Sequence, residues 1–155
     1  MKQAMVLFLF FSLISCNDKA ENPICEGDSQ SVEFSTLENM YGCSDTRFSL
    51  ELNLTDDNMY EVISNINEYS EKVLGNCHPD IDFDSFDLIV GYTGHNIDSR
   101  LDSIHYFQNC SNEDFVLTLF VTPSITTNAS PLIFNAILPK LPKDYSISIA
   151  IKPVF

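Results

Sequence analysis

The chain of 155 residues contains no tryptophan, only 5 glycines, and 8 basic residues against 22 acidic ones. Each shortage removes a class of function. A formal net charge of −14 repels phosphate, so nucleic acid is excluded as a partner, and so is a basic face for anionic lipid head groups. The few glycines form no phosphate-cradling loop. Neither a G-x-S-x-G elbow nor an H-E-x-x-H helix occurs, so no motif provides a nucleophile or a metal. No C-x-x-C pair exists, and Cys77 and His78 are adjacent rather than at ligand spacing, so no metal site and no cofactor are expected. Without tryptophan, the flat platforms on which sugars stack are limited to tyrosine and phenylalanine. No apolar run reaches the roughly 20 residues that a membrane-crossing helix needs.

The longest such run, Ala4 to Ile14, is broken only by Ser12, follows the single cation Lys2, and ends at Ser15-Cys16. That is the layout of a secretory signal peptide, residues 1–15, removed on export. Leu13-Ile14-Ser15-Cys16 resembles the lipobox of bacterial lipoproteins: a branched residue, a variable one, a small one, then cysteine. The resemblance implies a thioether to diacylglycerol on Cys16, cleavage before it, and acylation of the new amine. Two or three buried chains retain a protein at a bilayer where one holds only marginally. Asn17-Asp18-Lys19-Ala20-Glu21 resembles the acidic surface-export signals of some Gram-negative lipoproteins, which implies the outer membrane. The expected location is therefore exported and lipid-anchored in the cell envelope, with the bilayer as a partner through Cys16.

From Cys16 the chain carries 7 basic and 22 acidic residues, and residues 16–31 have the polar composition of a flexible tether. Residues 32–155 are enough for one domain. Besides Cys16 there are Cys25, Cys43, Cys77 and Cys110, an even number in an exported chain, so two disulfides are expected. Three connectivities are open. Loop-closure entropy favours Cys25 with Cys43 and Cys77 with Cys110.

Period-two alternation dominates from Phe48 onward. Phe48, Leu50, Leu52 and Leu54 predict a strand that forms a hairpin with Tyr60 to Ile63 across Asp56-Asp57-Asn58. Ile66, Tyr69, Val73 and Leu74 share a helical face, with Asn65 as cap, Glu68 three residues on, and Gly75 past the end. Asp80, Asp82 and Asp84 alternate with Ile81 and Phe83. A calcium loop with this start would need Gly where Ser85 stands and Glu where Gly91 stands, so a strand with one wet face is predicted instead. The apolar Leu88-Ile89-Val90, then Ile104 to Gln108, Phe115 to Val121, Leu132 to Leu138 and Tyr145 to Ile151 complete the set. The expected fold is α+β, a mainly antiparallel sheet or sandwich-like domain of six or seven strands with one main short helix.

The stretch from the helix through Phe83-Asp84-Ser85-Phe86-Asp87-Leu88-Ile89-Val90-Gly91 to Leu138-Pro139-Lys140 resembles small bacterial envelope lipoproteins of unassigned function. Over about half the chain it is also similar to the C-terminal domain of accessory subunits of bacterial protease complexes. It departs from that pattern where Tyr92-Thr93-Gly94-His95 replaces a Gly-Gly turn, and no catalytic residue carries over.

The segment from Tyr92 to Asp102 reads as a loop mixing an aromatic, a histidine, an arginine and acids. Tyr92, His95, Asp98 and Arg100 are therefore the expected contact residues for an envelope protein partner. His105, beside Tyr106 and Phe107, and His78, next to Pro79, read as structural. The function expected is that of a membrane-anchored envelope lipoprotein acting as a non-catalytic binding module. The alternative is a small hydrolase-like enzyme using His95 and Asp98 as an acid–base pair.

Overall fold

The computed structural model describes residues 27–54, 59–93, 99–112, 114–123 and 131–155. The signal segment, Cys16 and Cys25 lie outside the described residues, as do His95 and Asp98. In chain order the elements are β1 (Ser29–Ser31), α1 (Leu37–Tyr41), α2 (Thr46–Ser49), β2 (Leu50–Leu52), β3 (Tyr60–Ile63) and α3 (Ile66–Lys72). They continue with β4 (Val73–Gly75), β5 (Phe86–Tyr92), β6 (Ser99–Asn109), β7 (Phe115–Pro123), β8 (Ile133–Pro139) and β9 (Ile147–Pro153). The domain is α+β, with mostly antiparallel strands in several sheets and few short helices.

A four-stranded sheet has the order β1-β6-β7-β9, a three-stranded sheet the order β3-β5-β8, and β2 and β4 form a short ribbon. Only the β7–β9 pairing is parallel among these ladders. Ile89, Phe134, Ala136 and Leu138 of the smaller sheet share a core with Tyr106, Leu117, Leu119 and Val121 of the larger one. The other face of β5 and β8, with Leu88, Val90 and Ile137, packs with Leu37 of α1, Tyr69 of α3, Leu50 of β2 and Val73 of β4. Strand β5 is thus covered on both faces, which is why Leu88-Ile89-Val90 runs apolar without alternation.

Helix α3 begins as its sequence demands: the Asn65 side-chain oxygen accepts from the amides of Asn67 (3.1 Å) and Glu68 (3.0 Å). It stops earlier than expected, because Val73 turns extended and enters β4, where its side chain is fully buried. Gly75 ends that strand rather than capping a helix. Its φ is +110°, and a Cβ there would meet the Ser49 carbonyl oxygen at 2.1 Å.

Three other local expectations change. Phe48 lies in α2 with its ring exposed, and no hairpin joins it to Tyr60–Ile63. Instead β2 pairs with β4, Leu50 opposite Gly75, and β3 pairs with β5. The tie responsible is the disulfide Cys43–Cys77, which flanks β2 on one side and β4 on the other. The Asp80–Ser85 stretch is a turn and not a strand: Asp82 accepts the Asp84 amide on its side chain (3.1 Å) and the Ser85 and Phe86 amides on its carbonyl. Short acidic side chains offer the backbone this local alternative to a ladder. Finally, β1 falls in the last residues read as tether. Its polar composition suits it, since it is an exposed edge strand that adds nothing to either core.

Candidate functional site

Tyr106, Gln108 and Cys110 are two residues apart along and just beyond β6, so they point to one face of the larger sheet. Gln30 of β1 stands directly opposite Gln108 in the antiparallel register, and Val32 donates its amide to the Tyr106 carbonyl (2.9 Å). Phe115, the first residue of β7, stacks on Tyr106 with ring centroids 5.5 Å apart and an 18° tilt. Over this floor the segment 139–146, between β8 and β9, folds back as a wall. Together they enclose a cleft of about 980 Å³.

The wall is fastened from below. Asp87 of β5, 1% exposed, accepts from Lys140 Nζ and from the Leu141 amide, both at 2.8 Å. The Lys140 ammonium also donates to the carbonyls of Ser64 (3.0 Å) and Phe83 (2.8 Å), which employs all three of its protons. Tyr145 stands half-buried at the inner side of the wall. Burial first, and then the charge of Asp87, pushes its hydroxyl pKa upward.

Beneath this cleft, at atoms sealed from solvent, some hydrogen bonding is unmet. Tyr106 is 2% exposed, and its hydroxyl has no partner among the described residues; neither has the buried Gln30 Oε1. Burial, with Tyr145 and Asp87 nearby, raises the Tyr106 pKa far above the ordinary tyrosine range, so the group is a neutral donor and acceptor. Buried polar atoms are usually paired, and each one left alone costs about 1–3 kcal/mol. Tyr69 OH and Thr93 Oγ1 are also unpaired, but neither lines the cleft.

A second, smaller cavity of about 280 Å³ contains both arginines of the chain, Arg47 and Arg100. Its deep polar groups are satisfied by one another. Asn135 accepts the Leu37 amide (2.7 Å) and donates to Thr46 Oγ1 (2.8 Å) and Glu38 Oε2 (3.2 Å), while Thr46 donates to Glu38 from both its amide and its hydroxyl. Burial works to raise the Glu38 pKa. The hydrogen bonds from Thr46, its own backbone, Asn135 and Thr36 outweigh it and hold the carboxyl below its usual value. This is a structural network joining α1 and α2 to β8.

Of the expected contact residues, Tyr92 and Arg100 are described and neither lines the cleft, whereas Cys110 does. Tyr92 ends β5, and its hydroxyl donates to the Leu52 carbonyl (3.0 Å), so it braces β2 rather than standing free on a loop. Arg100 and Asp102 belong to β6, where the Arg100 guanidinium donates twice to Asp102 at 3.0 and 2.8 Å. The pairing expected for the cysteines is replaced by Cys43–Cys77, and Cys110 is disulfide-bonded as well. Loop-length preferences of a few tenths of a kcal/mol yield to the packing that brings Cys43 and Cys77 into one core. His78 stacks on Tyr69 at 4.0 Å, and His105 lies beside the rings of Phe107 and Phe120. Among the described residues no three His, Cys, Asp or Glu side chains converge on a metal position, and no helix is long and apolar enough to cross a membrane.

Sequence reasoning missed the cleft because Tyr106 reads as core and Gln30 as tether. The one local signal was the alternation of Tyr106, Gln108 and Cys110, which puts polar groups on the same face as a buried ring. In comparison with known proteins, the chain matches no family model, no curated sequence and no solved structure.

Proposed function

We propose that this chain is an exported lipoprotein, held to an envelope membrane by acyl chains on Cys16, whose domain is a non-catalytic module that binds its partner in the cleft under residues 139–146. The observation that carries the binding role is the cleft itself, of about 980 Å³ and lined by the polar side chains of Gln108, Asn112 and Asp114. A ligand bearing hydrogen-bonding groups can pair with these side chains in a concave site. The groups lining the cleft recognise and orient; they include no nucleophile paired with a base. The lipobox-like Leu13-Ile14-Ser15-Cys16 supports the anchor, and the acidic domain supports attachment by acyl chains instead of a basic face.

Two measurements test this reading. Metabolic labelling with a fatty-acid probe is expected to mark the wild-type chain and not Cys16→Ala, and equal labelling of the two would refute the anchor. Envelope extract passed over immobilised wild type and Gln108→Ala, matched for melting temperature, is expected to give weaker retention on the variant. Equal retention of every component would remove the cleft.

A further inference from the structure

We propose that two copies of this chain associate edge to edge through β9, independently of what the cleft binds. β9 is the last strand of the four-stranded sheet, and β7 is its only ladder partner among the described residues. The phase of its backbone is fixed at both ends. Ser146 accepts the Phe115 amide and Val154 donates to the Val121 carbonyl, both at 2.8 Å, so Ser148, Ala150 and Lys152 between them bond to β7. The amides and carbonyls of Ile147, Ile149 and Ile151 therefore point outward at an open edge. Exposed edges are ordinarily blunted by charge, proline or a bulge. Here Lys152 and Pro153 guard only the end of the strand, while Ile147 to Ile151 pair in unbroken register and carry no charge. In a chain of net charge −14, this is an edge that a second acidic copy can approach.

The edge is complementary to itself, which selects a second copy over an unrelated strand. A two-fold axis makes the paired strands antiparallel. Pro153 has no amide to give, and the Tyr145 amide is already donated to the Pro142 carbonyl, so the usable groups end at Ile147 on one side and Ile151 on the other. The register that employs all of them sets Ile149 opposite its own counterpart and Ile151 opposite the partner's Ile147. The Ile147 carbonyl accepts from the Tyr60 hydroxyl at 3.0 Å and keeps a second lone pair for the other copy. In the same register Ser148 meets the partner's Ala150, two small residues where antiparallel strands come closest, about 4.5 Å between Cα atoms. Lys152 meets the partner's Ser146, two residues from the partner's Asp144, and symmetry repeats this approach of opposite charges at the other end. Ile151, 36% exposed, gains the partner's Ile147 as a neighbour. One strand from each copy makes a narrow contact, so the dimer is weak and concentration-dependent.

Sedimentation velocity of the chain from Cys16 onward, up to millimolar concentration, tests the proposal, with amide hydrogen exchange as a second readout. A monomer–dimer equilibrium is expected. As the dimer forms, the Ile149 and Ile151 amides should gain protection, whereas those of Ser148 and Ala150, bonded to β7, are protected throughout. Ile149→Pro removes an outward amide and no ladder bond, and is expected to weaken association about tenfold or more. Lys152→Glu sets like charges at both ends of the contact and should weaken it about fivefold, and adding Asp144→Lys should restore the wild-type constant within about twofold. Asp144 precedes β9 and Lys152 stands near its far end, so this rescue cannot arise within one chain. If Ile149→Pro does not fold, the charge pair decides alone. A monomer at every concentration, a dimer indifferent to both Ile149→Pro and Lys152→Glu, or protection gained elsewhere while Ile149 and Ile151 gain none would overturn the proposal.

Discussion

Lys140 Nζ reaches back 53 positions along the chain to lie 2.8 Å from Asp87 Oδ1, and this pair fastens the wall of the cleft to β5. Asp87→Ala removes two charge-assisted bonds and leaves a lysine whose side chain is 39% exposed, so part of the loss is recovered by water. The expected cost is about 2–3 kcal/mol, read as a fall in melting temperature on the order of 10 °C. Asp87→Asn keeps an acceptor for the Leu141 amide and is expected to fall between the two.

Acid should loosen the α1–α2 corner through Glu38. Its folded pKa lies below the ordinary 4.5, so its contribution is present in full above that value and is lost as pH falls through the lower folded one. Asp82, held down by the Ser85 hydroxyl, and Asp102, held down by Thr122 and Arg100, shift in the same direction. The Glu38 share is therefore isolated by difference: melting temperature between roughly pH 5 and 3 should decline less steeply in Glu38→Gln than in wild type. Parallel profiles would contradict the role given to the network.

Peptide mapping without reductant should return Cys43 joined to Cys77. With Cys110 bonded, and with Cys16 lipidated as proposed, Cys25 is the remaining partner, so a Cys25–Cys110 peptide is expected beside it. Cys43→Ser with Cys77→Ser opens a link of sequence separation 34 and should lower stability by about 4 kcal/mol in the chain-entropy model. A Cys25–Cys43 peptide would contradict the β2–β4 ribbon.

Gly91 should not tolerate even a methyl group. A Cβ there would lie 2.6 Å from the Met59 carbonyl oxygen and 2.7 Å from both Phe134 Cζ and Tyr60 Cβ. Because the nearest of these is backbone, relief requires β3 and β5 to part. Gly91→Ala is expected to cost about 1–3 kcal/mol in chemical denaturation.

The strands from Leu88 onward were legible, apart from the first residues of β6 from Ser99, which read as loop, because alternation, or an apolar run buried on both faces, needs no distant information. Asn65 and Glu68 marked the start of α3 for the same reason. The ribbon was not legible: three-residue strands such as Leu50–Leu52 carry too little pattern, and their partner is chosen by a disulfide and a helix that turns the chain back. At Asp82 a local side-chain acceptor overrode the period-two pattern. The cleft is non-local throughout, since Gln30, Tyr106 and Tyr145 come from three separate parts of the chain. In sequence the unpaired Tyr106 hydroxyl looks the same as any core tyrosine.

The most direct test of the binding cleft is amide chemical-shift mapping of the isotope-labelled chain from Cys16 onward, titrated with soluble envelope extract. The account predicts perturbations centred on Val32, Gln108, Asp114 and Ser146, weakened in Gln108→Ala under the same conditions. Perturbations centred on Tyr92, Arg47 and Arg100, with Gln30 and Gln108 unmoved, would contradict it.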